Sequence, residues 1–293
     1  GPEAILASNT STIPITKLAD RLARPERFCG LHFFNPVRRM QLVEVIRGAK
    51  TSDETVATAV AHAKRIGKSP IVVNDGPGFL VNRLLFPYMN EAIELLSEGA
   101  DALAIDRVAK EFGMPMGPLE LYDMVGIDTA MYAGRVMWEA FPDRVRASPI
   151  IPALVKAGRL GHKTGQGFFT YDHPRGTPRT DERLEKIVAT YRLSERKFDD
   201  DEMTLRLFLP MLLEACRALA DGIVRDARDI DFALIYGLGF PAFRGGLLFW
   251  ADSVGLPQLL QRLKPLAELG PRMAAPPLLT DLAASGESFY GRK

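Results

Sequence analysis

Gly30-Leu31-His32-Phe33-Phe34-Asn35-Pro36-Val37, followed closely by Leu42-Val43-Glu44-Val45-Ile46, is the stretch on which the fold turns. Each run is short and apolar and carries one ionisable side chain. The first ends in polar and chain-breaking residues, as buried strands of an open α/β sheet do at their carboxyl ends. Upstream, Ala4 to Ser8 reads as another strand, ending in Ser8-Asn9-Thr10-Ser11, and Ile15 to Leu22 as a helix with Pro14 near its first turn. Downstream, Ser52 or Asp53 caps a helix running to about Ile66, and Ser69 to Asn74 is a last strand. Strands and helices alternating over residues 1–75 predict half of a doubly wound, incomplete Rossmann-type parallel sheet.

From Gly76 the pattern becomes helical. Pro77-Gly78 breaks the chain, Phe79 to Leu96 predicts a long helix with Pro87 as a kink, and Asp101 caps a helix over Ala102 to Phe112. Leu119 to Val125 and Thr129 to Phe141 are also helical, and Gly161 to Phe169 is a glycine-bent turn into an extended end. The pattern then recurs. Arg83, Pro87, Glu91 and Gly99 align at one constant offset with Arg206, Pro210, Glu214 and Gly222. Further on, Ile105-Asp106 matches Ile230-Asp231, Gly113-Met114-Pro115 matches Gly239-Phe240-Pro241, and Val125-Gly126 matches Val254-Gly255. So many matches in one order predict a tandem duplication of a helical unit. The fold class is therefore α/β followed by all-α, in three domains over 1–75, 76–175 and 176–293. Arg175 to Arg179 reads as the linker, and Pro276-Pro277 sets off a short helical tail.

Bulk properties narrow the function classes. The chain has 293 residues, 47% apolar and 25% charged, with a net charge of +1, so no strong field draws it to nucleic acid or an anionic membrane. No apolar run approaches the ~20 residues of a membrane span, and no signal peptide is legible, which predicts a cytoplasmic protein. Cys29 and Cys216 stand far apart among apolar neighbours and read as two reduced, buried thiols.

The chemistry gathers at the strand ends. A lone histidine on an apolar strand is commonly a core residue, but His32 lies beside Asn35-Pro36 at the carboxyl edge, where open sheets place their ligand sites. Glu44, flanked by Val43 and Val45, is costly there unless paired or turned to the surface, and the simplest partner is the imidazole one strand away. Such a pair fixes the tautomer and stabilises the imidazolium formed when the ring accepts a proton. Asn9-Thr10-Ser11 can be a turn or helix cap, and Asn82 either a structural hydrogen bonder or a group aimed at a ligand. His62, His162 and His173 have no carboxylate or cysteine at ligand spacing, so no metal is assigned. Gly76-x-Gly78, Gly165-x-Gly167 and Gly237-x-Gly239 each lack the third glycine of a dinucleotide loop.

Together, Ser8 to Ser11, Gly30 to Val37, Leu42 to Ile46, Pro77 to Arg83 leading into Glu91-Ala92, and the Gly161 to Phe169 turn resemble the 3-hydroxyacyl-CoA dehydrogenase family over essentially the whole chain. With its tandem helical units the chain is most similar to the C-terminal part of the multifunctional fatty-acid oxidation complex α subunits. The resemblance implies helical domains of the 6-phosphogluconate dehydrogenase C-terminal-like type and NAD-dependent oxidation of a 3-hydroxyacyl-CoA in fatty-acid β-oxidation. It implies His32 as general base and Glu44 as its orienting partner. Ser11, Asn82 and, more weakly, Tyr236 would hold substrate, and Asn9, Ser11 and Asn35 would touch NAD. An enoyl-CoA hydratase domain upstream and a thiolase partner are implied too. The family's glycine-rich NAD loop would lie before residue 1, so little dehydrogenase activity is expected of this chain alone. An acyl-CoA-binding or thiolase-docking module without catalysis is the competing expectation. Another β-hydroxyacid dehydrogenase is a weaker one, because the lysine such enzymes use has no counterpart over Pro77 to Arg83.

Overall fold

The computed structural model describes residues 1, 3–173 and 176–291. Arg175, the start of the predicted linker, lies outside the described residues. In chain order the first elements are β1 (Leu6–Ser8), α1 (Ile15–Ala19), β2 (Phe28–Phe33), β3 (Leu42–Arg47), α2 (Asp53–Arg65) and β4 (Ser69–Asn74). The helices α3 (Val81–Ser97), α4 (Ala102–Phe112), α5 (Pro118–Val125), α6 (Ile127–Ala140), α7 (Ile150–Lys156) and α8 (Glu182–Thr190) follow. The chain continues with α9 (Asp200–Ala220), α10 (Ala227–Leu238), α11 (Leu247–Val254), α12 (Leu256–Leu263) and α13 (Pro277–Ser285). It divides into two compact units, one of Gly1–Leu84, Leu212–Gln261 and Ala275–Lys293, the other of Leu85–Met211 and Arg262–Ala274.

The first unit holds the sheet, ordered β1-β2-β3-β4. β1 pairs parallel with β2, and β3 with β4, but β2 and β3 run antiparallel. The Rossmann-type class stands, but the expected parallel sheet is corrected to a mixed one. The link over 34–41 is too short for the crossover helix that a parallel pair needs, so the chain turns straight back on itself. α2 covers one face, burying Cys29, Val45, Val56 and Ala59 in a small core. Its cap is Ser52, whose hydroxyl accepts from Thr55 N–H. α10 packs on β3 through Gly237, where an added Cβ would stand 2.7 Å from Leu42 Cδ2. The N–H of Asn74 donates to Ile223 O at 2.8 Å, tying β4 to the turn after α9.

The duplication is visible in matching hydrogen bonds. In the second unit Asp106 accepts from the N–H groups of Leu119 and Glu120, both at 2.9 Å. In the first unit Asp231 accepts from Leu248 and Phe249 at 2.8 and 2.9 Å. Asp123 takes Phe168 and Phe169 N–H, and Asp252 takes Phe289 and Tyr290 N–H, in the same manner. Burial pushes the carboxyls of Asp106 and Asp123 up to about 7 and about 6, and raises Asp231 as well; the backbone donors oppose it.

Arginines repeat likewise. Arg83 is held by Glu214 and Asp221, both at 2.7 Å, within the first unit. Arg206 is held by Glu91 at 2.5 Å and Glu98 at 2.9 Å within the second. Each arginine thus pairs with the carboxylates that occupy equivalent places in the other copy of the repeat.

Candidate active site

The hairpin register sets His32 directly opposite Glu44. Directly opposed residues share a face of the sheet. Accordingly His32 Nδ1 lies 2.6 Å from Glu44 Oε2, with Glu44 fully buried and His32 at 4% exposure. The surface-facing alternative for Glu44 is thereby excluded. Its other oxygen, Oε1, accepts from the N–H groups of Leu80 and Val81 at 3.1 and 2.9 Å, where α3 begins. A carboxylate receiving two amide donors is itself an acceptor, so Nδ1 carries the proton and Nε2 keeps its lone pair. The helix N-terminus adds favourable charge to the carboxylate. The imidazole sits among aromatic rings, its centroid 4.5 Å from Phe34 and 5.7 Å from Phe79.

The turn over 75–82 gathers the rest of the site. Asp75 accepts from Ile15 and Thr16 N–H at 2.9 and 2.7 Å and so fixes the start of α1 just after Ser11. Asn82, in the first turn of α3 and half-buried, donates from Nδ2 to Ser11 O at 2.9 Å. Of the two readings of Asn82, this bond realises the structural one for one N–H, while its Oδ1 and second N–H stay chemically available. Ser11 is exposed.

Asn9 Oδ1 accepts from Phe33 N–H at 3.1 Å, joining the ends of β1 and β2. What Asn9 can offer a ligand is therefore its NH2 group. Asn35 is exposed, immediately past β2. Tyr236 is 41% exposed on α10, its ring 4.5 Å from that of Phe232. Among the described residues it makes no hydrogen bond to His32, Glu44, Ser11 or Asn82. The structure thus brings His32 to Glu44 and Asn82 to Ser11, and leaves Tyr236 outside that hydrogen-bonded set. A separate concavity, lined by Leu103, Asp106, Arg107 and Lys110, belongs to the other unit and shares no residue with this site.

Sequence reading missed Asp75, Phe79 and the amides of Leu80 and Val81. The Gly76-Pro77-Gly78 string was the available signal, because it marks a tight turn before a helix whose first N–H groups need an acceptor.

Comparison with known proteins agrees with this geometry. Residues 1–76 match the family model for the 3-hydroxyacyl-CoA dehydrogenase NAD binding domain. Residues 78–171 and again 203–293 match the model for the 3-hydroxyacyl-CoA dehydrogenase C-terminal domain, as a duplication requires. The fatty acid oxidation complex subunit alpha of Pseudomonas aeruginosa is 48% identical over 99% of this chain. The chain spans only 41% of the length of that relative. Among solved structures, 3-hydroxybutyryl-CoA dehydrogenase from Escherichia coli superposes with a TM-score of 0.80 at 27% identity, covering 98% of this chain and 77% of that one. The (S)-3-hydroxybutyryl-CoA dehydrogenase of Ralstonia eutropha is 48% identical, with a TM-score of 0.57, over 59% of this chain and 62% of its own.

Proposed function

This chain belongs to the 3-hydroxyacyl-CoA dehydrogenase family, and we propose that it holds the substrate and moves the proton in NAD-dependent oxidation of a 3-hydroxyacyl-CoA to the 3-ketoacyl-CoA. The observation that carries this reading is the buried His32–Glu44 pair, closed by the start of α3. His32 takes the 3-hydroxyl proton at Nε2, and in the reverse direction returns it. Glu44 keeps Nδ1 protonated and balances the imidazolium. Ser11 and Asn82 hold the substrate oxygen, and Tyr236 serves the acyl-CoA side.

The chain's donors fit a nicotinamide carboxamide. Exposed Ser11 and Asn35 and the NH2 of Asn9 place hydroxyl and amide groups at the carboxyl ends of β1 and β2. NAD, when bound there, supplies the acceptor for the hydride from C3. A docking module without chemistry would have no use for a carboxylate buried at a histidine, so the catalytic reading is preferred. We place the activity in cytoplasmic fatty-acid β-oxidation, beside an enoyl-CoA hydratase activity and a thiolase partner. The division into 1–75, 76–175 and 176–293 is proposed as the ancestry of the chain, whose compact units are interleaved differently.

The test compares His32→Gln and Glu44→Gln with wild type in the natural gene product, assayed with 3-hydroxyacyl-CoA and NAD. The carboxamide introduced by Glu44→Gln can still accept from Leu80 and Val81, but its NH2 would face Nδ1 and force the proton onto Nε2. Both substitutions are expected to lower kcat by about 100-fold or more with KM little changed. Wild-type turnover in His32→Gln would reject the assignment.

A further inference from the structure

Phe79 is the one described non-glycine residue with a positive φ, at 51°. It follows Gly78, whose φ is 71°, and is itself fully buried. A bulky residue is disfavoured in the left-handed region, where glycine is free, and such an outlier points to a local requirement. Glycine stands at 76 and 78, yet position 79 keeps an aromatic ring. Two contacts suggest what the ring and backbone are for. The residues that follow, Leu80 and Val81, aim their N–H groups at Glu44 Oε1, and the Phe79 ring packs 5.7 Å from the imidazole at an interplanar angle of 57°.

We propose that Phe79 is a positioning residue. Its left-handed backbone directs two amides onto the carboxylate of Glu44, and its ring wedges the His32 imidazole against that carboxylate. His32 is then held from two sides, by a hydrogen bond at Nδ1 and by the aromatic rings of Phe34 and Phe79. Phe79 is fully buried and carries no ionisable group. It acts through His32, and its catalytic consequence rests on the reading of His32 given above.

Phe79→Gly separates the two contributions, since glycine adopts the same φ without strain and leaves the Leu80 and Val81 amides in place. Long-range 15N–1H correlation of the imidazoles in the labelled chain reads the tautomer without any assay of turnover. Wild type should show His32 in a single Nδ1–H form. In Phe79→Gly the two ring-nitrogen signals should converge as both tautomers are sampled, and Phe79→Leu, which refills most of the volume, should restore the wild-type pattern. In turnover, Phe79→Gly should lose at least about tenfold in kcat with KM within about twofold. Unchanged His32 signals in Phe79→Gly would overturn the proposal. So would a wild-type imidazole already sampling both tautomers, a result that stands even where the glycine variant does not fold. Full activity in His32→Gln, by contrast, would remove the dehydrogenase reading and leave the tautomer comparison intact.

Discussion

Asp106 lies in α4, is 3% exposed and faces the start of α5, where Leu119 and Glu120 point their N–H groups at its two oxygens. Desolvation nevertheless dominates and lifts its carboxyl from 3.8 to about 7. Between those values the folded chain holds a proton that the unfolded chain has released. The stabilisation from this group is complete below the lower value and disappears as pH rises through the upper one, with a ceiling of about 4 kcal/mol. Thermal midpoints measured from pH 4 to 8 should therefore fall more steeply in wild type than in Asp106→Asn; parallel curves would contradict the assignment. Glu44 uses the same device, amides at a helix start, for a different end. Its pairing with His32 is legible in sequence because an acid and an imidazole each interrupt an otherwise apolar strand. The amide half of that site is not legible. A backbone donor has no residue-type signature, and only the glycines at 76 and 78 hint at the turn that aims it.

At the level of elements, strand and helix positions are readable from periodicity, and β4 and α4 have the bounds the sequence predicts. Direction is harder. Apolar runs look alike whether a strand runs up or down, and only the length of the link over 34–41 distinguishes the hairpin from a crossover. The reciprocal arginines were visible as aligned letters, but which carboxylates they would meet was not. Buried Arg206 lies between Glu91 and Glu98, so Arg206→Ala leaves two acids in the interior with less compensation. A loss of about 3 kcal/mol is expected in urea unfolding, because removing one partner of a buried ion pair strands the other. Arg107, whose pairs with Glu111 and Asp200 lie in solvent, is the control: Arg107→Ala should leave the urea midpoint unchanged within error. Equal effects at the two sites would show that burial does not set the difference.

Across the whole molecule, each compact unit draws on distant stretches of chain. The first combines residues 1–84 with 212–261 and 275–293, and the second combines 85–211 with 262–274. Deleting 203–293 would strip α10 from β3 and break the Asn74–Ile223 bond, and would remove Arg206 from Glu91 and Glu98. A chain of residues 1–202 should therefore show no cooperative thermal transition by circular dichroism; a sharp one would mean that the first repeat folds without the second. The paired arginines carry a consequence for heredity. Since Arg83 answers to acids in the later copy and Arg206 to acids in the earlier one, the two copies are not free to drift apart at these positions. A charge changed in one half leaves its counterpart in the other unbalanced, so these positions tie the two halves of the duplication to a common pattern of charge.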